Sequence, residues 1–404
     1  DVSCMGPSDR CRKHAEVAAV VQQWQKPCVH TCKGADAQNG AEHEEGRRSE
    51  GSHPQDCPIY GARHVGLLRP ELQERRDVDG DDDMDLLLSG ASEDGATSIL
   101  YLNDGNGLFE DSGVALPSLA EPAVAFMNNG SVLNILMAGL DDGVAKTYLY
   151  SNDGELNFTE VDHDLVNVEK GMIDVADADF DGYDDILIAG KLADGTAVTK
   201  VYIASDTETF VEDADLLGIY DGDLSFVNLG DGIRLNIVIS GAISESNSKS
   251  RTYYYSNVLG YTTVSSGQPN QGSNHGFRNC SIAVGDINDD EDNDLLIVGY
   301  NDYAEGPILI RYNNNGFGVT TSQNDVRFLA SESGAVDYID FDNDGDMDLF
   351  FTGSGFARIY EKDGISFTPM MGTPFDGVSH GNSDFGDIDG DGDMDIIISG
   401  YLDQ

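Results

Sequence analysis

The chain has 404 residues, 40% of them hydrophobic, and its 73 acidic against 23 basic residues leave a net charge of −50. That balance excludes nucleic acid and anionic membrane surfaces as partners, because both carry the same sign. No apolar run is long enough to span a bilayer and Asp1 opens no recognisable signal peptide, so membrane insertion is not expected, and an export address, if there is one, lies upstream or has been removed.

Residues 1–76 differ in kind from the rest. They hold 11 basic and 11 acidic residues, the only Trp and five of the six Cys, whereas 77–404 hold 12 basic and 62 acidic residues. The first part has one helix-like stretch, His14 to Gln25, followed by a polar run from Gly34 to Gln55 with little apolar surface to bury. It reads as a weakly ordered appendage or as sequence foreign to the domain that follows. Cys28 and Cys32 flank His30, but Cys4 and Cys11 are too far apart to complete a zinc site, so disulfides among Cys4, Cys11, Cys28, Cys32 and Cys57 are the favoured reading, with open connectivity. Cys280, in an apolar strand pattern, reads as a buried free thiol.

From residue 77 one cassette recurs five times: DVDGDDDMDLLLSG (77–90), DADFDGYDDILIAG (177–190), DINDDEDNDLLIVG (286–299), DFDNDGDMDLFFTG (340–353) and DIDGDGDMDIIISG (387–400). Two degenerate copies, 128–139 and 228–241, keep the apolar run and its closing glycine without the carboxylates. The seven closing glycines, Gly90, Gly139, Gly190, Gly241, Gly299, Gly353 and Gly400, are spaced 49, 51, 51, 58, 54 and 47 residues apart. A period near fifty predicts one small sheet per repeat. Each repeat also carries a β-rich run ending in a hairpin signal, such as SILYLNDG (98–105) or TYLYSNDG (147–154), a short return strand, and an approach strand such as MIDVAD (172–177) or AVDYID (335–340). Four strands per unit without intervening helices predict an all-β fold, a seven-repeat β-propeller. The last repeat stops four residues after Gly400, and LQERR (72–76) is a poor approach strand for the first, so either the chain is a fragment or residues 57–69 pair into the last blade.

In the aspartate loops, side-chain oxygens at cassette positions 1, 3, 5 and 9 turn onto one cation, and position 7 adds a backbone carbonyl. The candidate ligands are Asp77, Asp79, Asp81, Asp83 and Asp85; Asp177, Asp179, Asp181, Tyr183 and Asp185; Asp286, Asn288, Asp290, Asp292 and Asp294; Asp340, Asp342, Asp344, Asp346 and Asp348; and Asp387, Asp389, Asp391, Asp393 and Asp395. Oxygen-only donors point to Ca2+, up to five structural ions. Position 6 takes a sharp bend that glycine eases at Gly182, Gly345 and Gly392, whereas Asp82 and Glu291 stand there in the other two loops. The loop at 286–294, with Asn288 at position 3 and no glycine, is expected to be the weakest site. An EF-hand is excluded because position 12 is Leu88, Ile188, Ile297, Phe351 or Ile398.

These loops and their period resemble the FG-GAP repeats of integrin α-subunit heads and bacterial surface proteins, in a relaxed form in which the Gly-Ala-Pro element is reduced and Phe-Gly survives plainly only at Phe385-Gly386. The resemblance covers 77–404 and implies a calcium-loop β-propeller whose metal loops share one face, leaving the opposite face to ligands.

No catalytic residues are expected. A nucleophile is needed once, and a fivefold Asp-x-Asp has no mechanistic sense. His163, His275 and His380 read as solvated loop residues. The expected function is an extracellular, secreted or surface-attached recognition module for a glycan or protein, as a monomer or part of a larger chain; the alternative is the propeller domain of a carbohydrate-active enzyme such as a polysaccharide lyase. The candidate ligand-binding residues are Arg278, Tyr300 and Tyr303, within a group of Arg, His and aromatic residues that includes Arg251, His275 and Phe277, on the long loops 241–252, 265–279 and 299–306.

Overall fold

The apolar run after each aspartate loop becomes a strand buried on both faces, which is why it shows no polar alternation. In Asp185–Lys191, Ile186 and Ile188 pack toward the preceding repeat while Leu187 and Ala189 pack toward the following one. In Asp294–Asn301, Leu295 and Ile297 face one way and Leu296 and Val298 the other. A strand of this kind needs a sheet on each side, so the repeats must stand face to face around a ring.

The computed structural model describes residues 17–22 and, apart from 93–94, 129–132, 206–208, 231–232, 264–275, 289, 303, 315–320, 325–330, 332, 354, 365, 372–374 and 376, residues 77–402. Strand β1 is Val17–Gln22. The first repeat holds β2 (Leu86–Ser92), β3 (Gly95–Asn103) and β4 (Phe109–Asp111). The second holds β5 (Ala120–Asn128), β6 (Leu133–Asp141), β7 (Val144–Asn152) and β8 (Phe158–Glu160). The third holds β9 (Glu169–Ala176), β10 (Asp185–Lys191), β11 (Ala197–Ala204) and the first half of β12 (Phe210–Val227). The second half of β12, β13 (Asn236–Ser244), β14 (Asn247–Ser256) and β15 (Gly260–Thr262) make the fourth. The fifth is β16 (Phe277–Gly285), β17 (Asp294–Asn301), β18 (Gly306–Asn313) and β19 (Thr321–Asn324). The sixth is β20 (Ala335–Ile339), β21 (Asp348–Gly353), β22 (Phe356–Asp363) and β23 (Ser366–Pro369), and the seventh is β24 (Val378–Gly386) and β25 (Asp395–Leu402). Neighbouring strands within each unit pair antiparallel.

Among the described residues the core forms seven clusters, one at each junction of consecutive repeats. The seventh closes the ring, with Leu86 and Leu88 of the first repeat against Ile388 and Ile397 of the last. Asn103 also donates to the Ile388 carbonyl across this junction, at 2.8 Å. The fold is an all-β propeller, and no helix among the described residues is long and apolar enough to cross a membrane.

One expectation about the ends needs correction. Residues 17–22, inside the stretch that reads as helical, form a strand that pairs antiparallel with β25, from Val17 opposite Tyr401 to Gln22 opposite Ile396. The unpaired edge of β25 supplies backbone partners that a local pattern cannot register, and Val17, Val20 and Val21 are β-branched. The segment expected there, 57–69, lies outside the described residues, as do Cys4, Cys11, Cys28, Cys32 and Cys57. Among the described residues the first repeat has no approach strand and the seventh no outer hairpin of its own.

His163 is also not a solvated loop residue. It is half-buried, accepting from the Leu165 N–H at Nδ1 (3.2 Å) with Nε2 3.1 Å from the Thr147 carbonyl, and burial holds its pKa below the usual value. His275 lies outside the described residues, and His380 falls within β24.

The closing glycines make room for the entry to the inner strand of the same repeat. At Gly299 an added Cβ would stand 2.5 Å from the Cys280 Cβ, and at Gly353 it would stand 2.4 Å from the Ser331 Cβ. Gly299→Ala is therefore expected to cost about 1–3 kcal/mol by overpacking. Gly306→Ala, where nothing lies within 4 Å, should be near neutral. Thermal melts of the two variants check this, and equal midpoints would contradict it.

Candidate functional site

All five aspartate loops fold alike. The position-1 carboxylate caps the turn: Asp77 accepts from the N–H groups of Gly80, Asp81 and Asp82, and Asp177, Asp286, Asp340 and Asp387 each accept from the N–H of position 6. Position 5 accepts from the N–H of position 7 in every loop. Position 6 is left-handed throughout, with φ 96° at Gly182, 94° at Gly345 and 90° at Gly392, but also 72° at Asp82 and 69° at Glu291. The two side-chain-bearing residues accept a conformation that costs roughly 1–2 kcal/mol outside glycine.

Position 9 is buried at the start of the second strand and does more than the spacing suggests. Asp85 accepts from the Val78 N–H (2.8 Å) through one oxygen and the Asn103 N–H (3.0 Å) through the other, so it pins loop and third strand together. Asp185 does the same with Ala178 and Ala204, and Asp348 with Phe341 and Lys362. Burial pushes Asp85, Asp185 and Asp294 up to about 7, and Asp348 and Asp395 to about 6.

In four loops the carboxylates converge. Asp77, Asp79 and Asp85, then Asp177, Asp179 and Asp185, then Asp340, Asp342 and Asp344, and finally Asp387, Asp389 and Asp395 each bring oxygens within 4.8 Å of one another. Burial, then the repulsion of Asp81 and Asp77, raises the pKa of Asp79. The donor set fits a hard cation by a direct observation: the Oδ1 atoms of Asp79, Asp179 and Asp387 are buried and accept no hydrogen bond. Such an oxygen is costly unless something positive meets it. Among the described residues the fifth loop forms no such cluster; the Asn288 amide instead donates to Asp294 at 2.9 Å. The position-7 residues Asp83, Tyr183, Asp292, Asp346 and Asp393 lie in the turns, each donating its N–H to position 5.

The loops touch around one face of the ring. The Asn343 amide donates to the Gly392 carbonyl and that of Asn293 to the Asn228 carbonyl. Arg234, from the degenerate fourth loop, reaches back to Asp179 at 3.2 Å while stacking over Tyr255. The asparagines that end third strands, legible only as turn formers, staple their blades to the previous loop: Asn152 donates to the Val78 carbonyl and Asn314 to that of Leu229.

On the opposite face, Arg278 and Tyr300 come together, with the guanidinium 4.7 Å from the ring centroid. Arg278 is committed, however, with an ion pair to Asp302 at 2.9 Å and a hydrogen bond to the Glu245 carbonyl. Phe277, expected on this surface, is fully buried in the core, because its side of β16 faces the fourth repeat. Tyr303 and His275 lie outside the described residues. Cys280 is a free thiol that donates to the Ser240 carbonyl, with burial pushing its pKa up to about 12.

Residues 340–398 match the FG-GAP-like repeat family. No curated protein matches the chain. Among solved structures, an Agrocybe aegerita lectin studied for specific recognition of non-reducing terminal N-acetylglucosamine aligns at 14% identity with a TM-score of 0.50, covering 72% of this chain and 76% of its own. A mutant of AofleA from Arthrobotrys oligospora aligns at 11% identity and TM-score 0.43, over 72% and 84%. The six-bladed β-propeller lectin of Aleuria aurantia aligns at 11% and 0.41, over 71% and 90%. At such identities the likeness is one of fold.

Proposed function

We propose that this propeller of FG-GAP-like repeats is an extracellular, calcium-stabilised recognition module that binds a glycan without processing it. The observation that carries the calcium reading is the set of converged carboxylates with buried oxygens left unpaired at Asp79, Asp179 and Asp387. Asp77, Asp79 and Asp85, with their counterparts in the third, sixth and seventh repeats, would hold the ions, and the ions would supply charge balance and rigidity. Loops of this exposed kind suit the high calcium of extracellular fluid. The glycan reading draws on the fold shared with the Agrocybe aegerita lectin and on a face opposite the loops that carries aromatic and cationic side chains.

Glycan-array capture with calcium and with chelator, alongside an assay of polysaccharide chain length, tests the reading. Calcium-dependent capture with no shortening is expected; shortening of any polysaccharide would move the protein to the carbohydrate-active enzymes.

Arg234 gives a finer check. Its guanidinium opposes a cation at Asp179, so Arg234→Gln should tighten calcium binding to the third-repeat loop several-fold and lower the melting midpoint in chelator. Calcium titration of the two proteins reads this directly, and identical isotherms would remove Arg234 from the account.

A further inference from the structure

The inner strands break register at one recurrent place, between Ala120 and Ala123, Tyr220 and Asp223, Arg278 and Ser281, and Ser379 and Asn382. At or just before these strands five side-chain-bearing residues stand in left-handed backbone: Glu121 (φ 50°), Asp221 (46°) and Asn279 (44°) within three of those breaks, Lys170 (50°) where β9 breaks register with β10, and Ser333 (62°) two residues before β20. Glycine would relieve the strain, and glycine is in fact the next residue in three of them, at Gly171, Gly222 and Gly334. The strained positions themselves hold a carboxylate, an ammonium, a second carboxylate, an amide and a hydroxyl. Five blades thus each bring one hydrogen-bonding group to a shared cavity.

All five line one open cavity of about 140 Å³, at the end of the inner strands remote from the aspartate loops. Met172 and Ala335 add apolar surface to its lining. Lys170 and Asp221 are paired, at 2.8 and 3.0 Å. Glu121 and Asn279 make no side-chain hydrogen bond among the described residues, so they have acceptors and donors to offer. A cavity of about 150 Å³ accommodates one six-membered ring.

We propose that this axial cavity is a binding site for a single neutral pyranose, held by Glu121, Asn279 and the Lys170–Asp221 pair, with a C–H face of the sugar against Met172 and Ala335. The hydroxyls of a sugar both donate and accept, which a mixed ring of carboxylate, amide and ammonium matches, while the carboxylates of Glu121 and Asp221 disfavour a uronic acid. The site rests on the reading of the ring as a glycan-recognition module and gives that reading a location distinct from Arg278 and Tyr300.

The test uses the calcium-loaded full chain and the double variant Glu121→Gln with Asn279→Gly. Glycine suits the left-handed position, so the variant should melt at or above the midpoint of the parent. Each protein is titrated calorimetrically with free glucose, galactose, mannose, fucose, N-acetylglucosamine and glucuronate, and both are applied to the same glycan array. The expected result is binding of at least one neutral sugar by the parent and an affinity lower by tenfold or more in the variant, with the array signal falling in parallel. Glycan capture that survives the double substitution would overturn the axial site and leave the glycan reading standing. Preferential binding of glucuronate would overturn the ligand class. No capture of any glycan or sugar by the parent would overturn both.

Discussion

Removal of calcium by a chelator is expected to lower the unfolding midpoint by on the order of ten degrees, since each ion held only by the native state adds about 2.7 kcal/mol at a hundredfold excess over its Kd, and several sites add together. Chelation also exposes a cost that the ions would otherwise offset. Four loops crowd carboxylates whose oxygens lie within 4.8 Å of one another, and the Oδ1 atoms of Asp79, Asp179 and Asp387 have no donor. Within the series, Asp79→Ala should reduce the calcium-dependent part of the melting shift, whereas Asp290→Ala should leave it nearly intact, because the fifth loop forms no such cluster among the described residues and Asn288 bonds to Asp294. Superimposable melts with calcium and with chelator would end the structural-calcium reading.

The second large effect separates the two jobs of an aspartate loop. Asp85→Ala is expected to cost roughly 2–5 kcal/mol whether or not calcium is present, because it strips the partners from two buried backbone N–H groups, those of Val78 and Asn103. Asp79→Ala should behave oppositely in chelator, where it removes a carboxylate repelled by Asp77 and Asp81, and should leave stability unchanged or raised. Urea unfolding of both variants under both conditions gives the four values needed. An Asp85→Ala penalty that disappears in chelator would reduce position 9 to a metal ligand alone.

Only half of the role of Asp85 is written in the sequence. Its spacing within the cassette marks it as a cation ligand, and the same spacing predicts the left-handed turn at position 6, which Asp82 and Glu291 adopt even without glycine. Nothing in the cassette reveals that its oxygens also hold Asn103, eighteen residues away, because that partner is chosen by how the third strand returns. Asn152 and Asn314 were legible as turn residues only, since their acceptors at Val78 and Leu229 belong to another blade. Phe277 illustrates the converse error: its neighbours Arg278 and the loop before it suggested surface, while its own side of β16 faces the core.

The sequence by itself determined the repeat, its seven members, the all-β class and the carboxylate loops, because each depends on periods and spacings written within about fifty residues. The tertiary structure alone decided four further features. It set β1 as a strand at the edge of β25, where the local pattern reads helix. It ran β12 unbroken from the third repeat into the fourth. It placed Arg234 on a carboxylate of the neighbouring loop. And it gathered Glu121, Lys170, Asp221, Asn279 and Ser333 around one cavity. These features join residues from different repeats, and what one blade contributes to the next is governed by the closure of the ring rather than by the order of residues within a blade.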